Sequence, residues 1–340
     1  MKRIIIVTDT WEPSVNGVVT SIRHTKNALE KNGWRVRIVH PGDFVSLPMP
    51  SYPEVRITLP WERRIQEIIA QEQPDYIHIA TEGSLGLGVR YYCIQNRYQF
   101  TTAYHTRFPE YVQMRMYGFG GVTRRYLQWF HNGSNNTIVS TASLQQELIR
   151  DGFTDVVVAP LGVDTEIFKR NPDATLPPGV KGPLFIYVGR VAIEKNLRAF
   201  LECDLPGTKM IIGDGPDSDV LEKEFPGAAM FVGYQRGQEL INLLSVADCM
   251  VFPSKTDTLG LVILEALSCG VPIAAYDVGG PRDIVENGVD GYLGDDLTQN
   301  ALQCLHLSRE ACRNKALQFS WERSIEAFVQ CLVPITSLEQ

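Results

Sequence analysis

The feature that most constrains this chain is an alternation of short β-branched runs with stretches of helical period, run through twice and broken once by a Pro- and Gly-rich segment. RIIIVTD (3–9), a helical pattern over 20–32, WRVRIVHP (34–41), a second helical pattern over 62–72 and DYIHIA (75–80) open the series. Parallel strands need crossovers, usually helical, so this rhythm predicts a parallel sheet rather than a meander. A helix at 86–96, FTTAYHT (100–106), aromatic helices at 107–117 and 121–132, and NTIVST (136–141) continue it. DVVVAPLGVD (155–164) then leads into KRNPDATLPPGVKGP (169–183), whose composition is that of a linker. A second round follows: LFIYVGR (184–190), a helix through 197–201, TKMIIGDGP (208–216), AMFVGY (229–234), VADCMVF (246–252), LVILEALS (261–268) closed by Gly270, and VPIAAY (271–276). A last helix is expected near 321–331. The expected architecture is α/β with two Rossmann-like parallel-sheet domains facing across a cleft, at 1–168 and 184–318, with 169–183 between them and 319–340 as a terminal helix. At 340 residues the chain exceeds what one core usually supports.

Composition fits a globular enzyme, with 44% hydrophobic and 21% charged residues. Lys255, Asp257 and Glu265 interrupt the longest apolar candidate well short of the ~18 residues of a membrane span. The N-terminal run reaches Asp9 too early for a signal peptide and reads as a buried first strand. Seven scattered cysteines with no CxxC predict a reducing cytoplasm and no structural zinc; two Asn-x-Ser/Thr triplets at 132 and 135 are then chance. Charge is uneven. Residues 1–165 hold 17 basic and 15 acidic side chains (+2), against 15 and 24 (−9) in the remainder. Within the more basic half, residues 107–130 carry four arginines, one acid and seven aromatics, a mixture suited either to an anionic bilayer or to simple burial of one aromatic face. No nucleic-acid partner is expected.

The chemistry concentrates in VFPSKTDTLGLVILEALSCGVPIAAYDVGG (251–280). A buried strand runs into a turn through Asp257, Thr258, Leu259 and Gly260, and a helix begins at Leu261. The first N–H groups of a helix are unpaired and point outward, and a glycine there lets a diphosphate approach the backbone. Glu265 lies one to two turns on, placed for a ribose while Asp257 reaches a sugar. YVGRVAIEKN puts Arg190 at a strand end and Lys195 at a helix start, positive charge of the kind a diphosphate leaving group requires. In the first half, Asn16 and Gly17 precede a helix after the first strand, GSLGLG (83–88) has the look of a phosphate loop but reads better as helix packing, and Glu82 stands at a strand's carboxyl end where it could face the cleft. His105, in YHT at another strand end, is the best placed of six histidines. Asp217-Ser218-Asp219 resembles a metal-binding Asp-x-Asp, yet it stands where Asp217 or Asp219 makes an ordinary N-cap, and no other ligands join it. No metal and no cofactor are expected.

Asp257 and Glu265, with seven residues between them that include Leu259-Gly260, resemble the Glu-x7-Glu with Phe-Gly of the family-4 retaining glycosyltransferases of GT-B fold. The spacing is kept and the first carboxylate is one methylene shorter. HTRFPEY (105–111) resembles, within that family, the bacterial diacylglycerol glycosyltransferases and their sulfolipid synthase relatives. The resemblance implies a hexose moved from a nucleoside diphosphate sugar, UDP in preference to GDP, with retention of configuration and without metal. It implies His105, Arg190, Lys195 and Asp257 as catalytic residues. Gly17, Gly213, Tyr234, Thr258, Leu259, Gly260, Leu261 and Glu265 would bind the donor, and Asn16, Arg107 and Tyr111 the acceptor. It further implies a terminal helix that crosses back onto the first domain, a lipid acceptor, and a cytoplasmic enzyme peripheral on the inner face of the membrane. Alternatives stay open: a GDP-mannose or UDP-sugar transferase of polysaccharide assembly, a GT-B epimerase or phosphorylase, or a non-catalytic sugar-nucleotide-binding protein. A nicotinamide dehydrogenase lacks its GxGxxG after Val7.

Overall fold

The computed structural model describes residues 1–14, 16–49, 52–59, 61–110 and 119–335. In chain order the first half contains β1 (Arg3–Val7), α1 (Gly17–Lys31), β2 (Arg35–Val39), β3 (Ser46–Met49), β4 (Tyr52–Thr58), α2 (Glu62–Glu72), β5 (Tyr76–Ile79), α3 (Ser84–Gln95), β6 (Thr101–Ala103), α4 (Gly120–His131), β7 (Asn136–Val139), α5 (Ala142–Arg150) and β8 (Val156–Val158). Six strands form a parallel sheet in the order β2-β1-β5-β6-β7-β8, and β3 and β4 pair apart from it as an antiparallel hairpin. The second half contains β9 (Leu184–Val188), α6 (Leu197–Glu202), β10 (Thr208–Ile212), α7 (Ser218–Glu224), β11 (Met230–Phe231), α8 (Gly237–Val246), β12 (Cys249–Phe252), α9 (Leu261–Ser268), β13 (Ile273–Ala275), α10 (Gly279–Ile284), β14 (Gly291–Leu293), α11 (Leu297–Cys304) and α12 (Arg309–Ala316), followed by α13 (Trp321–Cys331). Its sheet is parallel too, in the order β11-β10-β9-β12-β13-β14, the doubly wound order of a dinucleotide-type domain. Every residue of β9 and of β12 is buried, as expected of parallel strands covered on both faces.

Two compact units result: residues 1–161 with 321–340, and residues 162–320. The division falls seven residues before the expected end of the first domain at 168, and the expected linker at 169–183 belongs to the second unit. The cause is hydrogen bonding. Arg313 donates to the Phe168 carbonyl (2.8 Å) and the Thr165 carbonyl (2.7 Å), and Val163 N bonds the Phe319 carbonyl (2.9 Å). Asn171 N then donates to Ser245 Oγ (2.8 Å) and Lys181 N to Thr208 Oγ1 (2.9 Å), so a Pro-rich composition here marks a strapped segment. The α13 helix is a structural part of the first unit. Ile325, Phe328 and Leu332 share a core with Ile4, Ile6, Ile22 and Leu29, and Asn136 Nδ2 donates to the Cys331 carbonyl (2.8 Å). Among the described residues no helix is long and apolar enough to cross a membrane, and no cluster of His, Cys, Asp or Glu is arranged to hold a metal ion. All seven cysteines are free thiols.

The aromatic stretch divides by face. In α4, Leu127, Phe130 and His131 are buried, whereas Val122 and Trp129 are 66% and 53% exposed. Two of the four arginines in the stretch are paired: Arg107 with Glu147, and Arg124 with Asp151 and Glu110. The remainder of the helix expected at 107–117 lies mostly outside the described residues.

Candidate active site

In the second unit, β9 ends at Val188 and a 3-10 turn, Ile193–Lys195, follows Arg190. This turn is stitched to the loop after β12. Asn196, in the left-handed region at φ 54°, donates from Nδ2 to the Pro253 carbonyl (3.1 Å), and the Glu194 carbonyl accepts from Ser254 Oγ (3.4 Å) and Thr256 Oγ1 (3.2 Å). The stitching brings together residues 62 apart in sequence: Lys195 Nζ lies 2.5 Å from Asp257 Oδ1, both side chains mostly buried. The other oxygen, Asp257 Oδ2, is buried and has no hydrogen-bond partner among the described residues. An unsatisfied buried carboxylate oxygen costs on the order of 1–3 kcal/mol, a cost that a hydroxyl donor from a ligand would remove.

The chain then reaches α9 through Thr258, Leu259 and Gly260. Gly260 adopts φ +85°, a conformation that glycine alone takes readily, and no side chain caps the helix. The first amides of α9 are therefore offered outward, the arrangement that favours an anion. The turn is held from behind by a residue that sequence reading passed over. A Cβ on Gly280, at the start of α10, would stand 2.5 Å from the Leu259 carbonyl oxygen, so the bare backbone of α10 supports the loop. The only signal for it in the sequence is the Gly279-Gly280 pair itself. Burial pushes the carboxyl of Glu265 up to about 7, against an ordinary value of 4.5.

Gly213 is explained by packing: at φ +144° its Cβ would overlap the Gly189 carbonyl oxygen at 1.8 Å. The Gly213 amide pairs with the Gly233 carbonyl (2.8 Å), which sets the 213–216 turn beside the half-exposed Tyr234. At 217–219 the N-cap expectation holds in position, since Asp217 is the N-cap residue of α7, but not in bonding. Asp217 makes no capping bond, and it is Asp214 that binds Gly215 N (2.7 Å) and Ser218 Oγ (2.6 Å).

The first unit holds the other group. Asn16 caps α1, its Oδ1 accepting from Val19 N (2.9 Å) and its Nδ2 donating to Thr10 Oγ1 (3.2 Å), so both ends of the amide are occupied and shape the loop. At Gly17 an added Cβ would meet nothing within 4 Å and φ is unexceptional, so the chain's own packing gives no reason for glycine there. His105 follows β6, and burial lowers its pKa and holds it neutral at pH 7; it shares a pocket with His78, Ser140 and Ser21. Arg107 is held by Glu147 in a two-pronged pair (2.5 and 2.7 Å), which ties the segment after His105 to α5 and occupies the guanidinium assigned to an acceptor. Tyr111 lies outside the described residues. GSLGLG is settled as packing. The Asp9 carboxylate already accepts from Leu85 N (2.7 Å) and Gly86 N (3.3 Å) at the start of α3, and burial pushes its pKa up to about 6. Glu82 points inward: it is buried and its Oε1 meets His131 Nε2 at 3.1 Å.

The family profile described as Glycosyltransferase Family 4 matches residues 15–167, and that described as Glycosyl transferases group 1 matches residues 169–316. The chain belongs to the family-4 glycosyltransferases. Among the relatives of this glycosyltransferase family member, a sulfoquinovosyl transferase of Arabidopsis thaliana is 33% identical over 265 residues, 73% of this chain and 52% of that protein. The chain thus spans about half the length of that relative. A GDP-mannose-dependent alpha-mannosyltransferase of Corynebacterium glutamicum is 27% identical, covering 86% of this chain and 76% of its own. An alpha-monoglucosyldiacylglycerol synthase of Streptococcus pneumoniae is 25% identical, covering 96% and 83%. Among solved structures, sucrose-phosphate synthase from Thermosynechococcus elongatus superposes with a TM-score of 0.76 at 19% identity, covering 97% of this chain and 98% of that one. The Anabaena protein HepE, solved with UDP and glucose, superposes at 0.70 and 16% identity, covering 97% and 99%. These likenesses establish the GT-B fold, two Rossmann-like domains with parallel sheets.

Proposed function

We propose that this glycosyltransferase moves a hexose, with retention of the α configuration and without a metal, from a nucleoside diphosphate sugar to a membrane lipid such as diacylglycerol. The observation that carries it is the Lys195–Asp257 contact, with Asp257 Oδ2 left unsatisfied beside the uncapped start of α9. On this reading Asp257 Oδ2 takes a sugar hydroxyl, and the α9 amides at Gly260 and Leu261, with Arg190 and Lys195, take the diphosphate. Glu265 takes the ribose, while Thr258, Leu259, Gly213 and Tyr234 line the nucleotide. Gly17, open in its own fold, serves phosphate on the first unit, and neutral His105 serves the reacting centre. The acceptor hydroxyl attacks the anomeric carbon on the face the diphosphate leaves, and the departing phosphate oxygen takes the acceptor's proton, so no separate general base is needed.

UDP is favoured because HepE was solved with UDP and glucose. A lipid acceptor is favoured because relatives named for sulfoquinovosyl transfer and monoglucosyldiacylglycerol synthesis cover most of this chain. The mannosyltransferase relative supports a second reading, a GDP-mannose donor. A mass-spectrometric screen decides between them: purified protein, UDP- and GDP-sugars, EDTA, and diacylglycerol vesicles. A glycolipid from one UDP-sugar is expected. A product from GDP-mannose alone would transfer the assignment to the second reading, and donor hydrolysis without glycolipid would move the acceptor to a saccharide.

A further inference from the structure

Helices that cover a sheet normally turn apolar side chains inward, and α1 and α13 each break that rule. Ser21 on α1 is 3% exposed and Ser324 on α13 is 5% exposed. Within the first unit both serines line one cavity of about 30 Å³, together with Thr25 of α1, Ser140 just past β7, His78 and His105. The rest of its wall is apolar. Among the described residues none of the four hydroxyls has a hydrogen-bond partner. His78 is satisfied at one end only. Its Nδ1 meets Thr101 Oγ1 at 2.9 Å, across the register that pairs the two residues, and Nε2 has no hydrogen-bond partner among the described residues. Phe328 stands edge-on to the ring at 5.0 Å, and burial pushes the pKa of His78 down to about 3, so the imidazole is neutral. Whichever nitrogen holds its proton, Nε2 remains a donor or an acceptor in need of a partner. Buried polar groups without protein partners are met by ordered water, and this cavity has room for about two waters.

We infer that the cavity holds ordered water, and that His78 acts through it as a positioning residue for His105. The strands lay out the path. β5 and β6 are parallel neighbours with His78 opposite Thr101, and side chains two apart along a strand share a face. Thr101 and Ala103 therefore lie on the His78 side of the sheet, and Ala103 and His105 continue the cavity wall toward the carboxyl edge, where α/β sheets place their ligands. Water held by four hydroxyls and His78 fixes the orientation of the His105 ring, in the way that outer hydrogen-bond partners orient histidines in other sites. Ser324 brings the terminal helix into the same arrangement, so α13 supports His105 as well as the core. The inference rests on the reading that puts His105 at the reacting centre, and one arm of its test is independent of that reading.

Two amides separate the nitrogens of His78, since Asn places its amide near Nδ1 and Gln near Nε2. His78→Asn keeps the bond to Thr101 and is expected to lower kcat at least about tenfold at unchanged donor KM, whereas His78→Gln should hold kcat near that of the parent. In a His105→Ala background the same Asn substitution should cost nothing further. A loss with Gln as large as that with Asn, or losses at the two positions that multiply independently, would make His78 merely structural and overturn the inference. The second readout needs no substrate. In nitrogen NMR of the histidine rings His78→Asn should move the His105 resonances and His78→Gln should not; where His78→Asn fails to fold, Thr25→Val takes its place in the same spectra. His105 resonances that stay in place, or a crystal structure with no ordered water on His78 Nε2, would also overturn the inference. If His105→Ala turns over like the parent, the role of His105 in transfer falls, and the ring resonances alone decide whether His78 positions it.

Discussion

At the residue scale the site turns on carboxylates set in unequal surroundings. Asp257 is tied through one oxygen to Lys195 and bare at the other, whereas burial raises Glu265 to about 7. The consequence for stability has a definite sign. In the unfolded chain Glu265 ionises near 4.5 and in the folded chain near 7, so the unfolded state gives up its proton first. Its contribution is therefore neutral below pH 4.5, worsens as pH rises between the two values, and levels off above 7 at about 3 kcal/mol of destabilisation. Urea unfolding of Glu265→Gln against the parent should show no difference at pH 4.5 and a gain approaching that figure at pH 8, and a pH-independent difference would refute the burial of this carboxyl. Lys195→Ala is expected to lower kcat/KM by at least ~10³-fold, since it removes both a phosphate-directed charge and the partner of Asp257. Near-normal turnover in a steady-state assay would remove Lys195 from the chemistry. The spacing put Arg190 at a strand end with Lys195 five residues on, and Asp257 before a helix that carries Glu265 eight residues on, and the structure places them so; the roles given to them came from the family resemblance. What spacing does not carry is which groups are already engaged: Asn16 by Thr10 and Val19, the two terminal nitrogens of Arg107 by Glu147, and Glu82 by His131.

At the scale of elements, three helices were legible to the residue, whereas α1 begins three residues before its expected span and α5 was not read. Both α2 and α9 coincide with the spans expected of them, as does α13, because each carries an apolar stripe between clear stops. The hairpin was not legible. Its segment, FVSLPMPSYPEVRITLPW (44–61), contains four prolines and an alternation whose apolar members face out, so neither the helical nor the strand template marks it as part of a core. The backing of the 257–260 turn was hidden for another reason, since a contact of bare backbone on backbone leaves only a glycine as its trace. Gly280→Ala tests that contact. The added methyl must displace the Leu259 carbonyl, and the expected outcome is about 1–3 kcal/mol of lost stability with a donor affinity lowered at least tenfold in calorimetric titration. Unchanged donor affinity would mean that α10 merely abuts the turn.

For the molecule as a whole, the twofold alternation of the sequence identified two parallel-sheet units, and the strand orders observed are those of doubly wound folds. The boundary was displaced because proline content was read as freedom, whereas Arg313, Ser245 and Thr208 bind residues 165–181 to the second unit. Charge follows the same division, with −9 in residues 166–340 and +2 before them, so the half that holds Arg190 and Lys195, the cations proposed for the donor, is the acidic one overall. Its positive groups are placed locally, at the ends of β9 and of the turn after it, which is what leaving-group stabilisation requires and what net charge does not reveal. The most direct test of retaining transfer by this chain is proton NMR of the anomeric centre in the product formed by purified protein from a UDP-α-hexose in the presence of EDTA. The small coupling constant of an α-glycoside is expected. The large coupling of a β-glycoside, or nucleotide binding with no product from any donor, would contradict it.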